Sequence, residues 1–145
     1  MGQLAFLKMF ILVAISLDVN DNRRHVHVFL KGKRHQHSLA KIWIEKNGQQ
    51  CVEIAESELL AKDNDMCKIK GVTLGIKDLN FKAHRGKMLV RLTDGREVLV
   101  PVSFFPDIQH MPVKEREKWM VLDDQYFTFE NMTRVYSVLD LLKVA

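Results

Sequence analysis

The sequence predicts an α+β fold: two small, mostly antiparallel sheet modules packed together with short helices. Three observations carry this. Apolar runs of strand length alternate with turn-forming clusters through most of the chain. One stretch, Lys87 to Leu92, Thr93-Asp94-Gly95 and Arg96 to Val102, has the form of a complete hairpin. Helical signals are confined to brief segments near Ser57, Pro112 and Ser137. The 145 residues divide at a seam between Lys68 and Val72 into modules over 1–70 and 71–145. Neither is comfortable alone at that size, so a shared interface is expected.

In the first module, Leu4 to Leu17 is apolar apart from Lys8 and Ser16. The positive charge sits inside the run rather than ahead of it, unlike a secretory leader. The run is also shorter than the roughly 20 residues that span a bilayer. Met9 to Leu17 is therefore expected as a strand buried on both faces, with no membrane partner. A polar turn over Asp18 to Asn22 leads to a second strand, His25 to Leu30. A basic loop, Lys31 to Ser38, precedes a third, Leu39 to Glu45. Asn47-Gly48 favours a tight turn and a fourth strand from Gln50 to Ile54. Ser57 is placed to cap a short helix through Leu60 to Lys62, ended by Asp63-Asn64-Asp65. Cys51 and Cys67 match no metal spacing and make no disulfide framework, the pattern of free thiols in a reducing cytoplasm.

The second module begins with two short apolar stretches, Val72 to Ile76 and Leu79 to Phe81, around Asp78. The hairpin that follows has an arguable register. A two-residue Asp-Gly loop mixes apolar and charged residues on each face. A three-residue loop with Gly95 left-handed sets Val90 opposite Val98, Met88 opposite Val100 and Arg91 opposite Glu97. The cleaner sorting selects the longer turn, and Pro101 suits the strand's end. Pro112 starts a helix running to about Trp119, with Glu115 and Lys118 suiting its dipole. Met120 to Leu122 and Tyr126 to Phe129 are strands around Asp123-Asp124. Ser137 with Asp140 opens a last helix, Val138 to Lys143, fastened by Val138, Leu139, Leu141 and Leu142.

Charge is where the sequence becomes unusual. Lys plus Arg total 22 against 18 acidic residues, a net +4 too small to identify a partner. Its location says more. No acidic residue occurs from Asn22 through Ile44, a stretch holding Arg23, Arg24, Lys31, Lys33, Arg34 and Lys41. Four of the six histidines, His25, His27, His35 and His37, lie in the same stretch. Strand alternation places His25 and His27 on one face. These residues suit a solvated hairpin that keeps a sheet edge from aggregating. They equally suit sequence-independent attraction to nucleic-acid phosphates or to an acidic protein. Two His-x-His pairs also offer four imidazoles to zinc or a similar ion, although no carboxylate is adjacent to orient them. No cofactor is otherwise implied, and self-association remains open.

A catalytic use rests on less. His25-Val26-His27 has the His-hydrophobic-His pattern of HUH single-strand nucleases, which pair those metal ligands with a tyrosine; Tyr126 and Tyr136 are the only tyrosines. Histidine titrates near neutral pH and can serve as acid and base. No Gly-x-Ser-x-Gly, Gly-Lys-Ser/Thr or Gly-x-Gly-x-x-Gly motif occurs. Arg116 and Trp119, three apart on the expected helix, can share a face as a partner patch or as Trp119 packed on the sheet beneath Arg116.

Two resemblances bear on function. Asp21-Asn22-Arg23-Arg24-His25-Val26-His27-Val28, with Lys31-Gly32 and Ala40-Lys41-Ile42-Trp43-Ile44, resembles a small bacterial family of unknown function, DUF family 4160, over roughly residues 8–60. Leu92-Thr93-Asp94-Gly95-Arg96, Val100-Pro101-Val102, Phe105-Pro106, Glu115-Arg116-Glu117-Lys118-Trp119 and Tyr136 to Leu142 resemble DUF family 2442 over roughly residues 71–145. The second family is a compact α+β domain, and genes for the two tend to be neighbours. The resemblance implies a bacterial toxin–antitoxin-like or mobile-element setting. The leading expectation is a non-enzymatic regulatory binding module whose 23–41 surface contacts nucleic acid or an acidic protein. The alternatives are a nuclease-like toxin using His25 and His27, and a structural interaction protein with no ligand.

Overall fold

The computed structural model describes residues 2–7, 10–14, 25–46, 49–57, 69 and 71–142. They form an α+β protein with three small, mostly antiparallel sheets and a few short helices. The first sheet has the order β1-β2-β3-β5-β6, from β1 (Gly2–Leu7), β2 (Phe10–Ala14), β3 (His25–Leu30), β5 (Ala40–Lys46) and β6 (Gln49–Ser57). The second has the order β12-β11-β10-β4, from β12 (Tyr136–Ser137), β11 (Tyr126–Phe129), β10 (Trp119–Leu122) and β4 (His35–Gln36). The third has β7 (Ile76–Asn80), β8 (Lys87–Leu92) and β9 (Glu97–Pro101).

The apolar N-terminal run is a hairpin rather than one doubly buried strand. β1 pairs with β2, and β2 alternates: Ile11 and Val13 are fully buried while Phe10 on the other face is 43% exposed. An apolar run broken only by Lys8 carries no period, so periodicity alone does not separate the two strands. Ser57 is the last residue of β6, and the helix expected after it, through 60–62, lies outside the described residues, as do the Asp18 to Asn22 turn and Cys67.

In the second module Asp78 lies inside β7, at an irregularity in its pairing with β8, not between two stretches. The β8–β9 register is the expected one: Met88 faces Val100, Val90 faces Val98 and Arg91 faces Glu97. Gly95 has φ +91°, the left-handed conformation that makes the three-residue turn possible. Its carboxylate neighbour Asp94 accepts the Arg96 N–H at 3.0 Å. Beyond a 3-10 turn (Val102–Phe104), α1 (Pro106–Gln109) and α2 (Val113–Arg116) are single turns. The helix expected to reach Trp119 stops at Arg116, because Trp119 to Leu122 are all buried and pair as a strand between β11 and β4. In α3 (Val138–Leu142) Asp140 accepts the Ser137 N–H at 2.7 Å, closing the expected cap. Val138 and Leu141 face the interior; Leu139 and Leu142 face out.

One continuous core joins the modules. Ile11, Val13 and Phe29 from the first sheet share one core with Met88, Met120 and Phe127 of the other two sheets, Ile108 of α1 (Pro106–Gln109) and Val138 of α3. Phe127 stacks on Tyr136 at 5.2 Å, and Phe105 meets that ring edge-on at 5.1 Å. Such contacts add to the burial that stabilises the core. No described helix is long and apolar enough to cross a membrane.

Candidate nucleic-acid interface

The basic loop is built around Gln36. Its side-chain carbonyl accepts the Leu30 N–H at 2.7 Å, and its amide donates to the Leu30 and Lys33 carbonyls at 2.7 and 3.1 Å. Lys31 to His35 are thereby closed into a compact turn, with Gly32 at φ +78° supplying the left-handed position. Short β4 then lies parallel to β10, where the Val121 N–H donates to the Arg34 carbonyl at 2.7 Å and the Asp123 N–H to the Gln36 carbonyl at 2.9 Å. The loop of the first module is thus an edge strand of the second module's sheet.

Two anchors hold this crossing. Arg34 places its guanidinium 3.9 Å from the centre of the Trp119 ring, and Nη2 donates to the Glu117 carbonyl at 2.5 Å. His35 meets the same indole edge-on at 5.6 Å. On the other side, fully buried Asp123 accepts the Ser38 N–H at 2.8 Å and the Ser38 hydroxyl at 3.4 Å, with His37 Nδ1 at 3.8 Å. Asp123 and Asp124 both have positive φ, +48° and +61°. Aspartate tolerates this region better than most residues, and here the junction demands it. Gln125 completes the seam, accepting the Ile69 N–H at 2.7 Å and donating to the Val72 carbonyl.

The anticipated site residues therefore divide. Lys31, Lys33, Arg34, His35 and His37 are exposed together on the loop. His25, His27 and Lys41 are not on that surface. The register pairs His27 with both Val13 and Lys41, so these three share the face that Ile11 and Phe29 direct into the core. His27 is 0% exposed and His25 8%, their rings edge-on at 5.0 Å. Arg23 and Arg24 lie outside the described residues.

The four histidines do not assemble a metal site: among the described residues no three His, Cys, Asp or Glu side chains are grouped to hold an ion. His25 and His27 face the core, His35 is held against Trp119, and His37 is beside Asp123. Of the tyrosines, Tyr126 is buried in β11 and Tyr136 lies in the aromatic core with its hydroxyl 3.4 Å from Asp107. The Arg116–Trp119 patch is also undone. Trp119 is only 6% exposed and is covered by Arg34, while Arg116 donates to the Ile108 and Gln109 carbonyls at 3.1 and 2.7 Å, closing the end of α1.

A second basic turn was not anticipated. Lys82, His84 and Arg85 are exposed between β7 and β8, and Lys87 is exposed at the start of β8. The signal was present in the sequence: no acidic residue occurs from Leu79 through Thr93. No protein-family model, curated relative or solved structure matches the chain.

Proposed function

We propose that this chain is a non-enzymatic binding protein that holds the phosphate backbone of a nucleic acid on its Lys31–His37 loop. The observation that carries this reading is the division just described. The loop displays its cations on a closed, double-anchored turn, whereas His25 and His27, the residues a nuclease would need, are packed into the core. A fixed turn loses little freedom on binding, so its charges are available at low ordering cost. Phosphate attraction of this kind is independent of sequence and weakens steeply with salt. The regulatory setting, of toxin–antitoxin or mobile-element type, comes from the resemblance of the two halves, and the cytoplasmic location from Cys51 and Cys67 read as free thiols, not from the site.

The test is an anisotropy titration of a labelled generic duplex, with parent and Lys31→Ala/Lys33→Ala proteins. Arg34 is left intact because it anchors the fold. Tight binding at low salt, loss of affinity in the variant and intact nucleic acid after incubation with divalent metals are expected. Equal binding by variant and parent overturns the reading. Preference for an acidic peptide over any nucleic acid assigns the loop to a protein partner instead.

A further inference from the structure

The two basic turns are neighbours, and Glu117 is the residue that shows it. Its backbone carbonyl accepts Arg34 Nη2 at 2.5 Å, and its carboxylate faces Lys82 Nζ at 3.5 Å. The Arg34 and Lys82 side chains thus meet on one glutamate, the first at its backbone and the second at its carboxylate. A continuous packed path runs beneath them. Arg34 covers Trp119, Trp119 pairs across the sheet with Phe129, and Phe129 packs on Phe81 at 5.9 Å, next to Lys82.

The second turn is as fixed as the first. Asn80 Oδ1 accepts the N–H groups of Lys82 and Ala83 at 2.8 and 3.0 Å, and the Lys87 N–H donates to the His84 carbonyl at 3.2 Å. Gly86, at φ +73°, offers its carbonyl to the Val102 N–H at 3.1 Å. The side chains of Lys82, His84, Arg85 and Lys87 are left on the exterior.

We infer that the 82–87 turn is the second half of one polyanion surface, and that the surface grips a nucleic-acid duplex by its phosphates. This rests on the function proposed above and deepens it. Lys31, Lys33 and Arg34 supply three charges from one module; Lys82, Arg85 and Lys87 supply three from the other. Trp119, Phe29 and Phe81 are not stacking platforms, being covered by Arg34, buried in the core and turned onto Phe129. The exposed rings nearest the turns, Phe10 opposite Leu30 and Phe104 two residues beyond the Val102 that donates to Gly86, come from separate modules. Single-strand binding stacks successive bases on a run of aromatic faces. Base-edge reading needs a helix or ribbon that enters a groove. Short cationic turns instead match phosphates on the outside of a duplex. The Glu117 carboxylate, beside Lys82, opposes the ligand, and Lys82 offsets it.

The experiment uses the full chain and a labelled random-sequence duplex over a salt series, comparing parent, Lys82→Ala/Arg85→Ala/Lys87→Ala, Lys31→Ala/Lys33→Ala and Glu117→Gln. Neutralising the 82–87 turn is expected to weaken binding by about tenfold or more and to flatten the slope of log affinity against log salt by about 2 to 3. Glu117→Gln is expected to strengthen binding, which loss of structure does not do. If the 82–87 variant binds as the parent does while the 31/33 variant is weakened, this inference fails and the proposed function stands. If neither variant differs from the parent, or the parent does not bind, the proposed function itself fails. Tighter binding to an oligothymidine strand than to the duplex overturns the assignment of duplex.

Discussion

The Arg34 guanidinium lies 3.9 Å over the Trp119 ring while it donates to the Glu117 carbonyl, so one side chain from the first module closes the sheet of the second. Planarity makes both contacts available at once, and a lysine ammonium cannot reproduce the pair. Arg34→Lys should lower unfolding stability by about 1 kcal/mol, and Arg34→Ala by about 2 kcal/mol, in urea titration. Unchanged stability in both would remove Arg34 from the seam.

The Asp123–Asp124 turn predicts a second effect. A Cβ on Gly75 would meet Thr93 Cγ2 at 2.9 Å and the Asp124 carbonyl oxygen at 3.1 Å, in a segment where the Ile76 N–H already donates to that oxygen at 2.6 Å. Gly75→Ala should cost about 1 to 3 kcal/mol by overpacking. Asp124→Gly, at an exposed positive-φ position, should instead gain about 1 kcal/mol. Thermal or urea unfolding reads both.

Buried His27 separates packing from catalysis. His27→Ala should lower stability by about 2 kcal/mol through lost core volume. At a temperature where the variant stays folded, its duplex affinity should equal the parent's. A nuclease activity in the parent that disappears in this variant would restore the catalytic alternative.

Tyr136 predicts a response to alkali. Burial raises its phenol above the ordinary range, the Asp107 carboxylate adds to this, and Arg134 opposes it. The folded ring keeps its proton at a pH where the unfolded chain has released it. Stability is therefore full below the unfolded phenol value of about 10 and falls as pH rises through the raised folded value. Tyr136→Phe should make this fall shallower, measured by urea unfolding between about pH 9 and about pH 11.

Legibility in the sequence followed the physics of each element. The β8–β9 register was readable because a one-residue slip exchanges every side chain between faces, leaving one sorted solution. The Ser137–Asp140 cap was readable because it is local. Trp119 was not, since Pro112 and Glu115 describe how a helix starts while its end was decided by burial between β11 and β4. Nor could alternation say which face of β3 turns inward; the second module decides that, and it takes the histidine face. For the same reason Lys31 to His37 looked like a hairpin tip, when the loop is an edge of another sheet. The 82–87 turn is hard to read in sequence because its charges are broken up by Ala83 and Gly86, although its freedom from acidic residues matches the first stretch.

The most direct measurement is the salt dependence of duplex affinity for the parent and for a variant neutralised at Lys31, Lys33, Lys82, Arg85 and Lys87 together. A phosphate-gripping surface predicts a steep negative slope for the parent, reduced by about 4 or 5 in the variant at unchanged fold. The same slope in both proteins would contradict the account.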